Sequence, residues 1–179
     1  TYAIETRHLD NSRRPRFINA LINEGSPYLL QHAHNPVAWN AWGEDALGRA
    51  RKTNRLIFLS IGYSTCHWCR VMARESFDSE PIADLLNGEY VSIKVDREER
   101  PDLDEYFLAR LELLSNSPGW PMTLILTPEG ELFAAESYMT EEALAVHLRR
   151  MAKSWKERPQ QVRRLAASIA AKFPALPAE

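Results

Sequence analysis

Apolar and polar positions change period several times along this chain, and each change marks an element. Leu56-Ile57-Phe58-Leu59-Ser60-Ile61 is a largely β-prone, almost unbroken apolar run, the pattern of a buried strand. Tyr90-Val91-Ser92-Ile93-Lys94-Val95 alternates and predicts a second strand. Trp120-Pro121-Met122-Thr123-Leu124-Ile125-Leu126-Thr127 predicts a third. A proline gives no ladder hydrogen bond, so Pro121 belongs at that strand's start. Pro128-Glu129-Gly130-Glu131 reads as a turn, and Leu132 to Ala135 as a short antiparallel partner.

Between these runs the period is helical. Ala46, Leu47 and Ala50 share a face over residues 44–54, and Ile82, Ala83, Leu85 and Leu86 share another after the capping signal Asp78-Ser79-Glu80-Pro81. Leu103, Tyr106, Phe107, Leu111 and Leu114 mark a third, and Leu144, Leu148, Met151 and Trp155 a fourth behind Thr140-Glu141-Glu142. Past Arg158-Pro159, the stripe Val162, Leu165, Ala166, Ile169, Ala170, Phe173 predicts a last helix, packed on this domain or on a following one. Near the N-terminus, Phe17, Ile18, Leu21 and Ile22 predict a short helix before Gly25. Ser26-Pro27 opens another, and Asn35-Pro36 stops it. Trp39 and Trp42 read as apolar anchors for this segment. Residues 1–15, with the basic cluster Arg13-Arg14-Pro15-Arg16, lack periodicity and read as an arm on the surface or partly disordered.

The chemistry sits after the first strand, at Cys66-His67-Trp68-Cys69. Gly62 to Thr65 turn the chain, and Thr65 is the expected N-cap of a helix opening at Cys66. Unpaired N–H groups at a helix start stabilise an anion, so Cys66 is expected to ionise below the free-thiol pKa of about 8.5 and to be the more exposed sulfur. A second thiol three residues on can close a small ring and release a mixed disulfide. These are the chain's only two cysteines. Other readings of the pair are an inert or structural disulfide, or half of a zinc site completed by His32 or His34. Those two histidines, at i and i+2, do not share a helix face and are poor joint ligands. Their expected place is on backbone hydrogen bonds or near the cysteines. Asp96-Arg97-Glu98-Glu99-Arg100-Pro101-Asp102 reads as a loop at the carboxyl end of a strand, where α/β sheets place their sites.

Composition narrows the classes. The chain has 179 residues, 45% of them hydrophobic and 26% charged, which suits one well-packed globular domain with extensions. A net charge of −2 offers nothing to nucleic acid, and no apolar run reaches the roughly 20 residues of a membrane span. No signal-like stretch precedes the folded part, so a missing upstream segment or a processed chain is expected. Two cysteines in a redox-type spacing do not fix the compartment. The cytoplasm is the favoured placement, with the periplasm or secretion as the alternative.

The element order is helix, strand, CxxC helix, strand, helix, proline-led strand, turn, strand, helix. It resembles the α/β thioredoxin-like fold, a central mixed sheet flanked by helices, with Pro121 at the position of that fold's cis-proline. Ser26 to Val37, Ser60 to Cys69, Lys94 to Asp102 and Gly119 to Thr123 resemble motifs of the N-terminal domain of the spermatogenesis-associated protein 20 family, over about residues 17–155. The resemblance implies an arm over 1–16, a thioredoxin-like domain over 17–157, and a C-terminal helix and start of a linker over 158–179. It also implies a large all-helical domain beyond, similar to carbohydrate-active barrels. The chain departs from the family at Arg70, commonly His there, at Ala38, usually Asp, and at residues 135–139, where a glycine-rich stretch is replaced.

These lines lead to a thiol–disulfide oxidoreductase needing no cofactor and no metal. Its partners would be a protein or small thiol or disulfide substrate and an unnamed redox partner. Cys66 attacks, Cys69 resolves, His67 tunes the thiolate beside Trp68, and Trp120-Pro121 present backbone to the substrate. By comparison with thioredoxin, Ser60 stands where a buried Asp would assist proton loss from Cys69. A histidine of the His32/His34 segment, Asp96 or Glu99 would substitute, a histidine being preferred for its ordinary pKa of about 6.5. The alternative is a binding or redox-sensing module that serves the helical domain.

Overall fold

Four strands form one mixed sheet in the computed structural model, which describes residues 2–176. They are β1 (Leu56–Gly62), β2 (Tyr90–Asp96), β3 (Met122–Leu126) and β4 (Leu132–Glu136), laid side by side as β2-β1-β3-β4. β1 runs parallel to β2 and antiparallel to β3, and β3 pairs antiparallel with β4. The sheet is thioredoxin-like in this order and carries helices on both sides.

Residues of alternate parity build two cores. Ile57, Leu59 and Ile61 face one way with Val91, Ile93, Val95, Leu124 and Leu126. They meet helices α2 (Glu44–Thr53) and α5 (Pro101–Leu114) through Ala46, Ala50, Leu103, Phe107 and Leu111. Asn54, in the left-handed region at φ 53, closes α2 with its backbone N–H on Ala50 and Arg51 carbonyls. The opposite face carries Leu56, Phe58, Tyr90 and Ile125 and meets α4 (Glu80–Glu89), α6 (Glu141–Glu157) and α7 (Pro159–Ala170). Ser79 caps α4 and Thr140 caps α6 through their side chains, as the sequence signals require. α7 packs on β4 and α6, so its stripe is covered by this domain. Leu165 is the exception at 49% exposed. Residues 177–179, the end of the expected linker, lie outside the described residues.

Three N-terminal expectations change. The helix predicted from Phe17 to Ile22 is a 3-10 turn over Ala20–Asn23. Asn19 starts it by accepting from Leu21 N–H, while its amide donates to the His32 and Val37 carbonyls. The helix opened by Ser26-Pro27 is a single turn, α1 (Pro27–Leu30), and the chain continues in turns to Asn35. The arm is tied down. Thr6 Oγ1 and the Arg7 backbone N–H both donate to the buried Asp78 carboxylate, at 2.7 and 2.8 Å. Tyr2 stacks on His34, and its hydroxyl lies 2.6 Å from His34 Nε2. A buried carboxylate and a buried imidazole need partners, and the arm supplies them.

Candidate functional site around the cysteine pair

β1 ends at Gly62, and residues 63–66 turn into α3 (His67–Met72), so the sheet delivers the CxxC to its own carboxyl edge. Cys66, and not Thr65, is the N-cap: its Sγ accepts the Cys69 backbone N–H at 3.2 Å. The cysteine thus takes the capping place itself, and the helix opens at His67, one residue later than expected. Cys66 and Cys69 form a disulfide with Cα atoms 5.2 Å apart. Cys66 is 5% exposed and Cys69 2%, while His67 and Trp68 stand out in solvent on the next turn. After α3 the backbone widens into a π-turn over Ala73–Phe77 before reaching Asp78.

Trp120 and Pro121 come in from β3. Met122 is in register with Ile61, so Pro121 lies at the sheet edge where β1 ends, and the Trp120–Pro121 bond is cis. The Trp120 indole donates to Asp104 at 2.7 Å, and the Arg97 guanidinium lies 4.2 Å from its ring centroid and 4.9 Å from that of Tyr63. These contacts brace the proline loop from α5 and from the turn after β2. On the other flank Trp68 rests on Tyr138, with ring centroids 4.8 Å apart, and Tyr138 donates to Glu75. The replaced loop at 135–139 therefore supplies the wall beside the cysteines.

Beneath the disulfide the sheet turns polar. β1 and β2 are in register as Leu56 with Tyr90, Phe58 with Ser92, Ser60 with Lys94 and Gly62 with Asp96. All these positions are buried, so polarity rises toward the carboxyl edge inside the protein. Lys94, 1% exposed, donates to Ser60 Oγ at 3.0 Å. Its ammonium nitrogen lies 4.3, 5.0 and 5.5 Å from the ring centroids of Phe77, Trp39 and Tyr28. Ring faces attract a desolvated cation. Burial still lowers the Lys94 pKa from 10.5 to about 7.

Of the expected proton carriers, His32 and Asp96 belong to this region and His34 does not. His34 Nδ1 lies 3.0 Å from the Phe17 carbonyl and its Nε2 faces Tyr2, which makes it an anchor of the arm. His32 is buried with Nδ1 2.8 Å from the Tyr28 carbonyl, which assigns the proton to Nδ1. Burial first, and the Lys94 charge second, hold its pKa well below 6.5, so it is a weaker base at neutrality than a free histidine. Asp96 accepts from Ser26 Oγ at 2.7 Å and from the Glu98 backbone N–H at 2.9 Å. Asp96 is the last residue of β2 and is buried, so the expected loop begins after it. Among the described residues no three His, Cys, Asp or Glu side chains gather as a metal site requires.

Sequence reasoning missed Tyr28 and Lys94. Tyr28 is 2% exposed beside His32, at 4.8 Å between ring centroids. An open cavity of about 1120 Å³ reaches this layer, lined by Tyr28, His32 and Cys69 on the inside. Arm residues 4–7, Arg74 and Glu141 form its outer wall.

The comparisons agree with this geometry. A family model described as Thioredox_DsbH, protein of unknown function, DUF255, matches residues 18–174. Spermatogenesis-associated protein 20 of Rattus norvegicus is 50% identical over 145 residues, covering 78% of this chain and 18% of that protein. The chain spans about a fifth of the length of the curated relatives it matches. Among solved structures, a thioredoxin from Thermus thermophilus matches with a TM-score of 0.55 at 18% identity, covering 66% of this chain and 89% of that one. A DsbH oxidoreductase structure matches with a TM-score of 0.52 at 17% identity, covering 68% of this chain and 86% of that one. At those identities the likeness is one of fold.

Proposed function

This chain belongs to the Thioredox_DsbH family, and on that premise we propose that it is a thiol–disulfide oxidoreductase domain with Cys66 as attacking thiolate and Cys69 as resolving thiol. The observation that supports this reading best is the Cys69 N–H directed at Cys66 Sγ. A backbone donor already in place favours the charged form of that sulfur and lowers its pKa. The Cys66 thiolate attacks one sulfur of a substrate disulfide. A mixed disulfide forms, and the other substrate sulfur leaves with the electron pair. The Cys69 thiolate then attacks Cys66 Sγ, the Cys66–Cys69 bond closes, and the second substrate sulfur departs. The substrate is reduced, the pair is oxidised, and a dithiol reductant must return the two electrons.

The substrate class is a protein or small-molecule disulfide lying over Cys66. The Trp120–Pro121 backbone borders it on one side and exposed Trp68 on the other. That the domain serves a longer protein, including a helical domain that follows it, is part of the same proposal.

Turnover of a generic disulfide tests the reading. Cys66→Ser is expected to abolish it, and Cys69→Ser to accumulate mixed disulfide with substrate, seen by mass spectrometry. No turnover by the wild type, or equal activity in Cys66→Ser, would overturn it. The reduction potential then gives the direction: near about −270 mV for a reductase, near about −120 mV for an oxidant.

A further inference from the structure

Tyr28 Oη is buried and has no hydrogen-bond partner among the described residues. Leaving a buried hydroxyl unpaired costs about 1–3 kcal/mol, so its placement calls for a use. Gly62 shows what it faces. An added Cβ on Gly62 would collide with Tyr28 Oη and would also meet Cys69 Sγ at 2.7 Å. The phenol and the resolving sulfur thus converge on the same bare glycine. We propose that the Tyr28 hydroxyl, brought beside Cys69 at Gly62, is the hydrogen-bond donor that receives the Cys69 thiolate when the pair opens. This rests on the oxidoreductase reading given above.

Other polar groups nearby already have partners or stand outside. Lys94 donates to Ser60, Asp96 accepts from Ser26 and from Glu98 N–H, and Arg70 is exposed on α3. His32 gives its Nδ1 proton to the Tyr28 carbonyl and presents only a lone pair at Nε2. Burial, and then the Asp96 charge, push the Tyr28 pKa up, so the phenol keeps its proton and acts as a donor. A disulfide sulfur is a feeble acceptor and a thiolate a strong one, so the bond forms when Cys69 ionises. The Cys69 proton leaves to solvent through the cavity that Cys69 and Tyr28 line. The thiolate then attacks Cys66 Sγ, and the substrate sulfur departs with the electrons of the broken bond. Tyr28 is a positioning residue: it exchanges no proton and meets no substrate.

The test uses Cys66→Ala, where Cys69 is the sole thiol, and follows thiolate absorbance against pH with and without Tyr28→Phe. The phenyl ring keeps the packing, and only the donor is lost. The Cys69 pKa is expected to rise by about one unit, about tenfold less thiolate below it. With Cys66 restored, Tyr28→Phe should slow release of a mixed disulfide by about the same factor and leave its formation unchanged. Gly62→Ala, whose methyl would crowd both atoms, should raise the Cys69 pKa as well. An unchanged Cys69 pKa in Tyr28→Phe overturns the proposal. The titration needs no substrate, so a shifted pKa in a domain without turnover sinks the oxidoreductase reading alone.

Discussion

The two faces of the sheet use alternate residues of the same strands and have opposite contents. Under α2 and α5 every sheet position is aliphatic, from Ile57 and Val91 to Ile61, Val95 and Leu126. On the other face Leu56, Phe58 and Tyr90 give way to Ser60, Lys94, Asp96 and Thr123 as the strands approach the cysteines. Both faces are buried, so the difference lies in what burial does. On the first it stabilises, at about 25 cal/mol per Å² of apolar surface. On the second it raises the energy of charged forms, lowering the pKa of Lys94 and His32 and raising that of Tyr28. Stability and chemistry are thus assigned to opposite sides of one four-stranded layer.

The largest expected break in that contrast is on the aliphatic face. Leu59→Ala should cost about 2–5 kcal/mol in denaturant unfolding, through lost burial and a residual cavity, while leaving the reduction potential of the pair in place. A large shift in potential would show that the faces are coupled.

Lys94→Met is the opposite case. Replacing a buried ammonium by an apolar side chain of similar length is expected to be neutral or stabilising by about 1–4 kcal/mol at neutral pH. The pH dependence carries the sign. With a folded pKa of about 7 against an ordinary 10.5, the unfolded chain binds more protons between those values, so this group makes stability rise with pH across that window. Below it the charged amine opposes folding in full. Unfolding free energies of wild type and Lys94→Met should converge as pH rises from 7 toward 10.5. Parallel curves would place the Lys94 pKa at its ordinary value.

The smallest effect sharpens the contrast between two histidines. His34→Ala should lose about 1 kcal/mol through the arm's anchorage and leave mixed-disulfide kinetics unchanged. Slowed resolution in that variant would contradict its placement on Tyr2 and Phe17.

The difference between His32 and His34 also marks where sequence reading stops. Their spacing says that they diverge, but only the fold says which one turns toward Cys69. The strands, the helices from α2 onward and the CxxC were legible because period, caps and turn residues are local signals, while the cis-proline position came from the resemblance to the thioredoxin-like fold. Lys94 was not. Its strand alternates as a half-wet strand does, and the register that sets it against Ser60 is a long-range fact. Asp96 is legible as a candidate proton carrier, but its burial is hidden in a charge run whose other members do reach solvent. Tyr28 is read from sequence as part of a helix start, since the gap at Gly62 exists only once α1, β1 and α3 meet. The arm's order was equally invisible, because its partner Asp78 is set by packing after the π-turn.

That last contact has a consequence in time. Thr6 and Arg7 bond to Asp78 across separations of 72 and 71 residues, and the far wall of the same cavity comes from residues 140–142. The arm is made before the residues it binds, so it has nothing to hold until the cysteine helix and the turn beyond it have emerged. Contacts of such separation bear the greatest loop-closure entropy and form late. A nascent chain therefore exposes its cysteines before the arm is fastened and before the cavity has a second side. Oxidation or capture by another thiol is easiest in that interval, and the N-terminus closes it.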